Sequence, residues 1–350
     1  MRYLSVCSGI EAASVAWEHL GWQPVGFSEI ERFPSAVLAH RFPTVPNFGD
    51  MTQHESWPID RGSIDILVGG TPCQSFSIAG LRRGLNDPRG NLMLTYLAIA
   101  DRLRARYLVW ENVHGILSSN GGRDFATLLQ ALGQLGYGWA YRVLDAQYIR
   151  VGRWPRAVPQ RRRRVFVVAR LIERNTGDWA AAAEILALRE GVRGYMQASA
   201  AKGKGVAADA EECSGTVSSK WAKGTGGPAG DECYNLIAEP VPFRKSRRAQ
   251  SVHDHESWVH AEQANTMNQF DVGERDTHAV ADAMTVRRLT PRECERLQGF
   301  PDDWTMIPYR GKPPEECPDG PRYKALGNSM ACNCMAWIGE RIAAYENHNP

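Results

Sequence analysis

The sequence predicts an α/β fold in which an open, mostly parallel, doubly wound sheet carries helices on both faces. Three observations point there. Over residues 1–170 short apolar runs alternate with longer amphipathic stretches, the pattern that βαβ units leave in a chain. Those longer stretches repeat their apolar residues at three- and four-residue spacing, as helices packed on a sheet do. The composition, 43% hydrophobic and 23% charged over 350 residues, belongs to a soluble globular chain with ample core.

The strands expected in order are Tyr3 to Val6, Val25 to Ser28, a short one ending at Asp50, Ile64 to Val68, Tyr107 to Trp110 and Val165 to Ala169. Between them, helical pattern fills Ala12 to Leu20, Glu31 to Arg41, Asn91 to Arg104 and Arg123 to Leu135. After Leu171 the texture changes. The stretch from Ala198 to Gly230 is rich in Ala, Gly, Ser and Lys, with Trp221 as its aromatic, and short polar pieces without a dominant period continue to about Thr285. Strong helical pattern returns in VRRLTPRECERLQGFPDDW and YKALGNSMACNCMAWIGERIAAYE. There is no internal repeat and no coiled-coil heptad.

Lys plus Arg number 41 against 39 for Asp plus Glu, so the net charge of +2 identifies no polyanionic partner, and only local clustering can. The eight cysteines are dispersed and form no C-x-x-C, which suggests neither a disulfide framework nor a zinc or other metal site. Met1 to Val6 reads as a strand rather than a leader, and no apolar run reaches the roughly 18 residues of a membrane span. A cytoplasmic location is expected, without a membrane partner.

The residues that carry chemistry gather where strands end. In LSVCSGIEAASVAW a strand runs through Ser8 and Gly9 into a helix, and Glu29 stands twenty residues beyond Gly9 at the end of the next strand. A glycine lets backbone approach a ligand, and an acid at that place can accept both hydroxyls of a ribose. A bland strand-to-helix turn accounts for the single glycine equally well. Asp50 in NFGDMT adds a second acid on the same edge, which favours an adenosine-type ligand over a pyrophosphate. In ILVGGTPCQSFSIAGLRRGLNDPRG, Cys73 follows Pro72 past a strand end. A lone cysteine is most often a small buried hydrophobe, but polar, Gly-rich sequence with Arg82, Arg83 and Arg89 follows at once. That setting favours an exposed thiolate, and the segment from Gln74 to Gly90 suits a mobile lid. RYLVWENV puts Glu111 and Asn112 directly after a strand; taken alone, the acid could be a helix cap. Residues 150–170 hold eight arginines and no acid. In extended chain Gln160, Arg162 and Arg164 share one face and Arg161 and Arg163 the other. A solvated basic edge strand would explain the charge but not the preference for Arg over Lys.

With these motifs in order, the chain resembles the cytosine-C5 DNA methyltransferases that use S-adenosylmethionine. Thr71-Pro72-Cys73-Gln74 looks like the family's catalytic P-C-Q, Glu111-Asn112-Val113 its E-N-V, and Gln160-x-Arg162-x-Arg164 its Q-x-R-x-R. Arg287-Arg288-Leu289-Thr290-Pro291-Arg292-Glu293 with Arg296-Leu297-Gln298-Gly299-Phe300-Pro301 is similar to its late R-x-x-T-x-R-E-x-x-R-L-Q-G-F-P, and Gly327-Asn328-Ser329 to its last motif. The first motif departs: where the family has Asp-Leu-Phe-x-Gly-x-Gly-Gly, this chain has Ser5-Val6-Cys7-Ser8-Gly9-Ile10-Glu11-Ala12. That departure bears on cofactor affinity rather than on which cofactor is used.

The resemblance implies a Rossmann-like S-adenosylmethionine methyltransferase sheet, residues 1–170 plus 322–350, with a smaller irregular target-recognition domain, 171–321, inserted before the C-terminal helix. It implies that the Cys73 thiolate adds to C6 of a flipped-out cytosine, that Glu111 hydrogen-bonds N3 and the exocyclic amine, and that Arg162, supported by Arg164, holds the O2 side. Methyl transfer to C5 and loss of the C5 proton then expel Cys73. The cofactor residues carried over are Ser8, Gly9, Ile10, Glu11 and Ala12, Glu29 for the ribose, Ile30, Asp50 and Met51 for adenine, Pro72 and Leu92 at the methionine end, and Asn328 with Met330 closing the pocket. DNA contacts would come from Gln74, Ser77, Arg82, Arg83, Arg89, Gln160, Arg161 and Arg163, and from Arg244, Lys245, Arg247 and Arg248 of the recognition region. That last cluster reads equally as a solvated loop. The partner expected is double-stranded DNA, the protein being nucleoid-associated when bound, a monomer, with no obligate protein partner. An RNA methyltransferase on the same scaffold and a DNA-binding module with a decayed cofactor site are the competing readings.

Overall fold

The computed structural model describes residues 1–72, 92–172, 180–187, 236–237, 243–247, 257–260 and 287–348. Its centre is a six-stranded sheet: β1 (Arg2–Val6), β2 (Gln23–Ser28), β3 (Ile66–Gly69), β4 (Tyr107–Val113), β5 (Tyr137–Asp145) and β6 (Arg163–Leu171), in the order β2-β1-β3-β4-β6-β5. β2, β1, β3 and β4 run parallel, and β6 is antiparallel to both β4 and β5.

Each inner strand is buried on both faces, so its residues feed two cores in alternation. On β4, Leu108 and Trp110 join Leu4, Leu67 and Val167 under helices α3 (Leu92–Leu103) and α4 (Arg123–Gln134). Tyr107 and Val109 face the other way, with Tyr3, Ile66 and Phe166, under α1 (Ala12–Trp17) and α8 (Cys332–His348). Burying Trp17 against α8 is worth roughly 2–3 kcal/mol of apolar transfer. Its indole donates to the Met335 carbonyl at 2.8 Å, fixing the last helix to the first. Between these helices and the rest, α2 (Arg32–Arg41), α5 (Ala181–Ile185), α6 (Pro291–Gln298) and α7 (Asp319–Asn328) complete the helical layers. A third apolar cluster sets Ile10, Val15, Phe33 and Val37 against Leu297, Phe300, Ile307 and Leu326, so the stretch from residue 289 packs on α1 and α2. Within residues 171–321, β7 (Leu236–Ile237) pairs with β10 (Arg287–Arg288), and β8 (Phe243–Arg247) with β9 (Ser257–His260), both antiparallel.

The sequence expectations hold for five strands and, to within a turn, for the four helices. The segment expected as one helix from Ala12 to Leu20 changes to a 3₁₀ turn at Glu18, which Gly21 ends. Three features differ. No strand precedes Asp50: the chain there makes one parallel bridge, Phe27 to Asn47, and Asp50 caps a 3₁₀ turn through Thr52 N at 2.9 Å. β5 was not expected, because Trp139 and Tyr141 are exposed on this edge strand and leave no buried run to see. Glu111 and Asn112 lie within β4 rather than after it, since β6 continues pairing to Val113.

Candidate active site

The carboxyl ends of β3 and β4 form one wall of a crevice. Gly70 follows β3, and a Cβ there would stand 3.1 Å from Glu111 Oε2 and 3.2 Å from Met330 Cε. Glycine is what allows the acid of β4 and the methionine before α8 to close on this point. The next residue, Thr71, is held twice. Its hydroxyl accepts from Trp110 Nε1 at 3.1 Å and its carbonyl from Asn112 Nδ2 at 2.8 Å. The two residues flanking Glu111 thus tie down the chain where it enters Pro72. Cys73, Gln74, Ser77, Arg82, Arg83 and Arg89 lie outside the described residues, as does Arg248.

Glu111 is almost fully buried, and Arg164 Nε lies 3.3 Å from its Oε1. Burial pushes the Glu111 carboxyl up, while Arg164 first and Arg162 second pull it back. The two arginines do different things. Arg162 is buried, and its guanidinium donates to the carbonyls of Ser329 at 2.6 Å and Gly327 at 3.0 Å. Its own N–H donates to Asp145 Oδ1 at 3.0 Å. Burial, with Arg164 nearby, lowers the Arg162 guanidinium to about 9, which leaves it charged at neutral pH. Geometry therefore puts Arg164, not Arg162, beside the acid, and Arg162 straps the crevice to the C-terminal segment.

Along the same edge, Gly9 turns with φ of 56° and donates its N–H to Glu29 Oε2 at 2.8 Å, while Glu29 Oε1 accepts from Glu31 N at 2.7 Å. Burial raises the Glu29 carboxyl and the backbone donors of Glu31, Gly9 and Ile30 oppose it. Beside it the apolar side chain of Ile30 is 69% exposed. Glu11 is buried, with φ of 66°, and caps α1 through Ser14 N and Ser14 Oγ, both 3.1 Å from Oε1.

The crevice brings together Ser8, Gly9, Glu11, Ala12, Glu111, Asn328 and Met330 of the expected residues. Ser5 and Cys7 of the first motif and Ser329 of the last line it as well, though none was named as a site residue, and so does Gly70, to which no motif pointed. Ile10 gives its side chain to the third apolar cluster and its carbonyl to Trp304 Nε1. Met51 is buried under the sheet, with Cys7 Sγ 3.5 Å from its sulfur, and Asp50 and Pro72 are exposed. Leu92 packs at the edge of the first cluster. Gln160, expected among the DNA contacts, is fully buried and donates to the Leu297 carbonyl at 3.1 Å. Arg161 and Arg163 are exposed on the opposite face, as the alternation predicts. Arg244, Lys245 and Arg247 lie on β8. The thiols of Cys7 and Cys294 are pushed up to about 12 by burial, and those of Cys332 and Cys334 also rise, so none of these four supplies a thiolate.

The late motif is structural. Thr290 and Glu293 form a capping box at the start of α6. Buried Glu295 accepts from Asp303 N and Thr305 N at 2.7 and 2.8 Å. Arg292 and Arg296 make two-pronged ion pairs with Asp303 and Asp302.

The open α/β sheet with its packed helices defines a class of fold that solved methyltransferase structures share. The Entamoeba histolytica methyltransferase EhMeth aligns over 98% of each chain with a TM-score of 0.59 at 15% identity. A mutant DNMT2 of Spodoptera frugiperda aligns over 98% of this chain and 99% of its own, with a TM-score of 0.57 at 17% identity. The C-5 cytosine-specific DNA methylase family matches residues 1–344, and this chain belongs to it. Among its relatives, a DNA N-6-adenine-methyltransferase of Escherichia phage P1 is 35% identical, matching 97% of this chain and 61% of that protein. Type II methyltransferase M2.BsuMI of Bacillus subtilis is 26% identical, over 98% of this chain and 75% of its own. The chain thus spans about three fifths of the phage P1 relative. Among the described residues no helix is long and apolar enough to cross a membrane.

Proposed function

We propose that this protein transfers a methyl group from S-adenosylmethionine to C5 of a cytosine flipped out of a specific sequence in double-stranded DNA, through a transient covalent bond between Cys73 and C6. The observation that carries the reading is the anchoring of Thr71 by the two neighbours of Glu111, which ties the entrance of the Cys73 segment to a buried acid facing Arg164.

The donor's residues fit. Glu29, fixed through Gly9 N, suits ribose hydroxyls, Ile30 offers an apolar face to adenine, and Asn328 and Met330 complete the far side. When bound, the donor supplies an electrophilic methyl on a sulfonium. The chain's own groups do the rest. Cys73 as thiolate bonds to C6, and Glu111 donates to N3 and accepts from the exocyclic amine, so that negative charge built on the ring is neutralised. Arg164 orients Glu111 and takes the O2 side, with Arg162 holding the wall behind it. Once C5 carries the methyl, water takes the C5 proton, the C5=C6 double bond re-forms, and the C6–S bond breaks to release Cys73 as thiolate. Residues 1–170 with 322–350 perform the chemistry, and 171–321 reads the sequence, with Arg161, Arg163 and the β8 arginines near phosphates.

The phage P1 relative's name describes N6-adenine methylation, a reaction that needs no attacking thiol, so one experiment separates the readings. Duplex DNA treated with the protein and labelled donor is digested to nucleosides and examined by mass spectrometry. The expected product is 5-methylcytosine, absent with Cys73→Ala. N6-methyladenine, or label retained by Cys73→Ala, overturns the proposal. A 5-fluorocytosine duplex should trap a denaturation-resistant adduct, and competition with RNA decides the nucleic acid.

A further inference from the structure

One buried acid of the crevice is not used by the reaction above. Glu11 stands where the family pattern has the second glycine of its first motif, and its φ of 66° shows why a glycine suits the place. A side chain here costs about 1 kcal/mol of backbone strain. This glutamate is 1% exposed, yet it lines the crevice. Oε1 accepts both bonds of the Ser14 cap, whereas Oε2 is buried with no hydrogen-bond partner; the Ser5 hydroxyl, ahead of Ser14, opposes the upward push of burial on this carboxyl. No cation pairs with it among the described residues. The titratable groups that face it from the packed elements are Tyr3 of β1 and Cys332 of α8, and burial holds both neutral.

A buried carboxylate oxygen without a donor is costly unless something brings one. The donor molecule carries two cationic centres, a sulfonium without N–H and an α-ammonium with three. Resting on the donor site proposed above, we infer that Glu11 is the counter-ion of the methyl donor's α-ammonium group, its Oε2 accepting an N–H from that ammonium. The site thereby selects ligands that carry the amino-acid end. Burial lifts the empty-state carboxyl to about 7, so binding the ammonium also expels a proton. Between pH 6 and 7.5 donor affinity should then rise roughly five- to tenfold, as Glu11 ionises before the α-ammonium loses its proton near 8.

Calorimetry on the whole chain tests this with three probes: S-adenosylmethionine, S-adenosylhomocysteine and 5′-methylthioadenosine, which lacks the amino-acid end. Glu11→Gln keeps the cap to Ser14. It should weaken the first two ligands in parallel, by tenfold or more, leave the third unchanged, and remove the pH dependence and proton release. Loss confined to S-adenosylmethionine assigns Glu11 to the sulfonium and overturns the inference. Equal loss of all three makes Glu11 a structural cap, and no loss at all overturns it as well. If the wild-type chain binds none of the three, the donor-site reading itself has failed, a result distinct from the others.

Discussion

Two buried carboxylates border one crevice, and the chain treats them in opposite ways. Glu111, on the side assigned to the base, is flanked by Arg164 at 3.3 Å and by the strapped Arg162. Glu11, on the side assigned to the donor, is hydrogen-bonded by the Ser14 amide and hydroxyl and has no cation beside it among the described residues. The acid that must donate to one atom of the base and accept from another has its burial partly offset by cations of the protein; the acid whose ligand is itself a cation is left to receive it. Pairing, rather than burial, separates the group held ready from the group held in reserve.

The strongest way to break this comparison is on the base side. Replacing Cys73 by Ala should abolish 5-methylcytosine formation, a loss above about a thousandfold, and retained turnover would remove the need for any acid tuned for nucleophilic attack. Glu111→Gln should cost roughly a hundred- to a thousandfold in kcat while DNA binding persists in gel shifts. Next comes the division between the arginines. Arg164→Ala should lower kcat by about a hundredfold with little change in melting temperature, and should move the Glu111 limb of the pH profile to higher pH, because the group that pulls its carboxyl down is gone. Arg162→Ala should instead act on stability, by roughly 3–5 kcal/mol in denaturant unfolding, by leaving the Gly327 and Ser329 carbonyls unpaired; the reverse pattern would return the catalytic part to Arg162.

The smaller effect sharpens the donor side. Glu11 has its carboxyl raised by folding, so the native state resists its ionisation. Stability linked to it is full below about pH 4.5 and falls as pH rises towards about 7. Glu11→Gln should therefore stabilise the ligand-free protein above neutral pH by up to roughly 3 kcal/mol and by nothing at pH 4.5, measured as paired thermal melts.

The sheet's core was legible because strands buried on both faces announce themselves as apolar runs, and Leu108 to Trp110 could hardly be anything else. β5 was hidden because one of its faces, with Trp139 and Tyr141, looks outward. Around the site, residue types and order were readable but not the division of work. Gln160, Arg162 and Arg164 alternate correctly in the chain, yet which guanidinium meets Glu111 depends on where residues 327–329 return, a contact spanning 165 residues or more that no local pattern encodes. Gly70 illustrates the same limit. Its two close neighbours come from β4 and from the segment before α8, and only their meeting explains why the position has no side chain.

That meeting also orders events during synthesis. Met330, Ser329 and the carbonyls that receive Arg162 are made long after both acids, so a growing chain holds the carboxylates before it owns the wall that encloses them. Until those residues have emerged, the two carboxylates share no enclosed crevice.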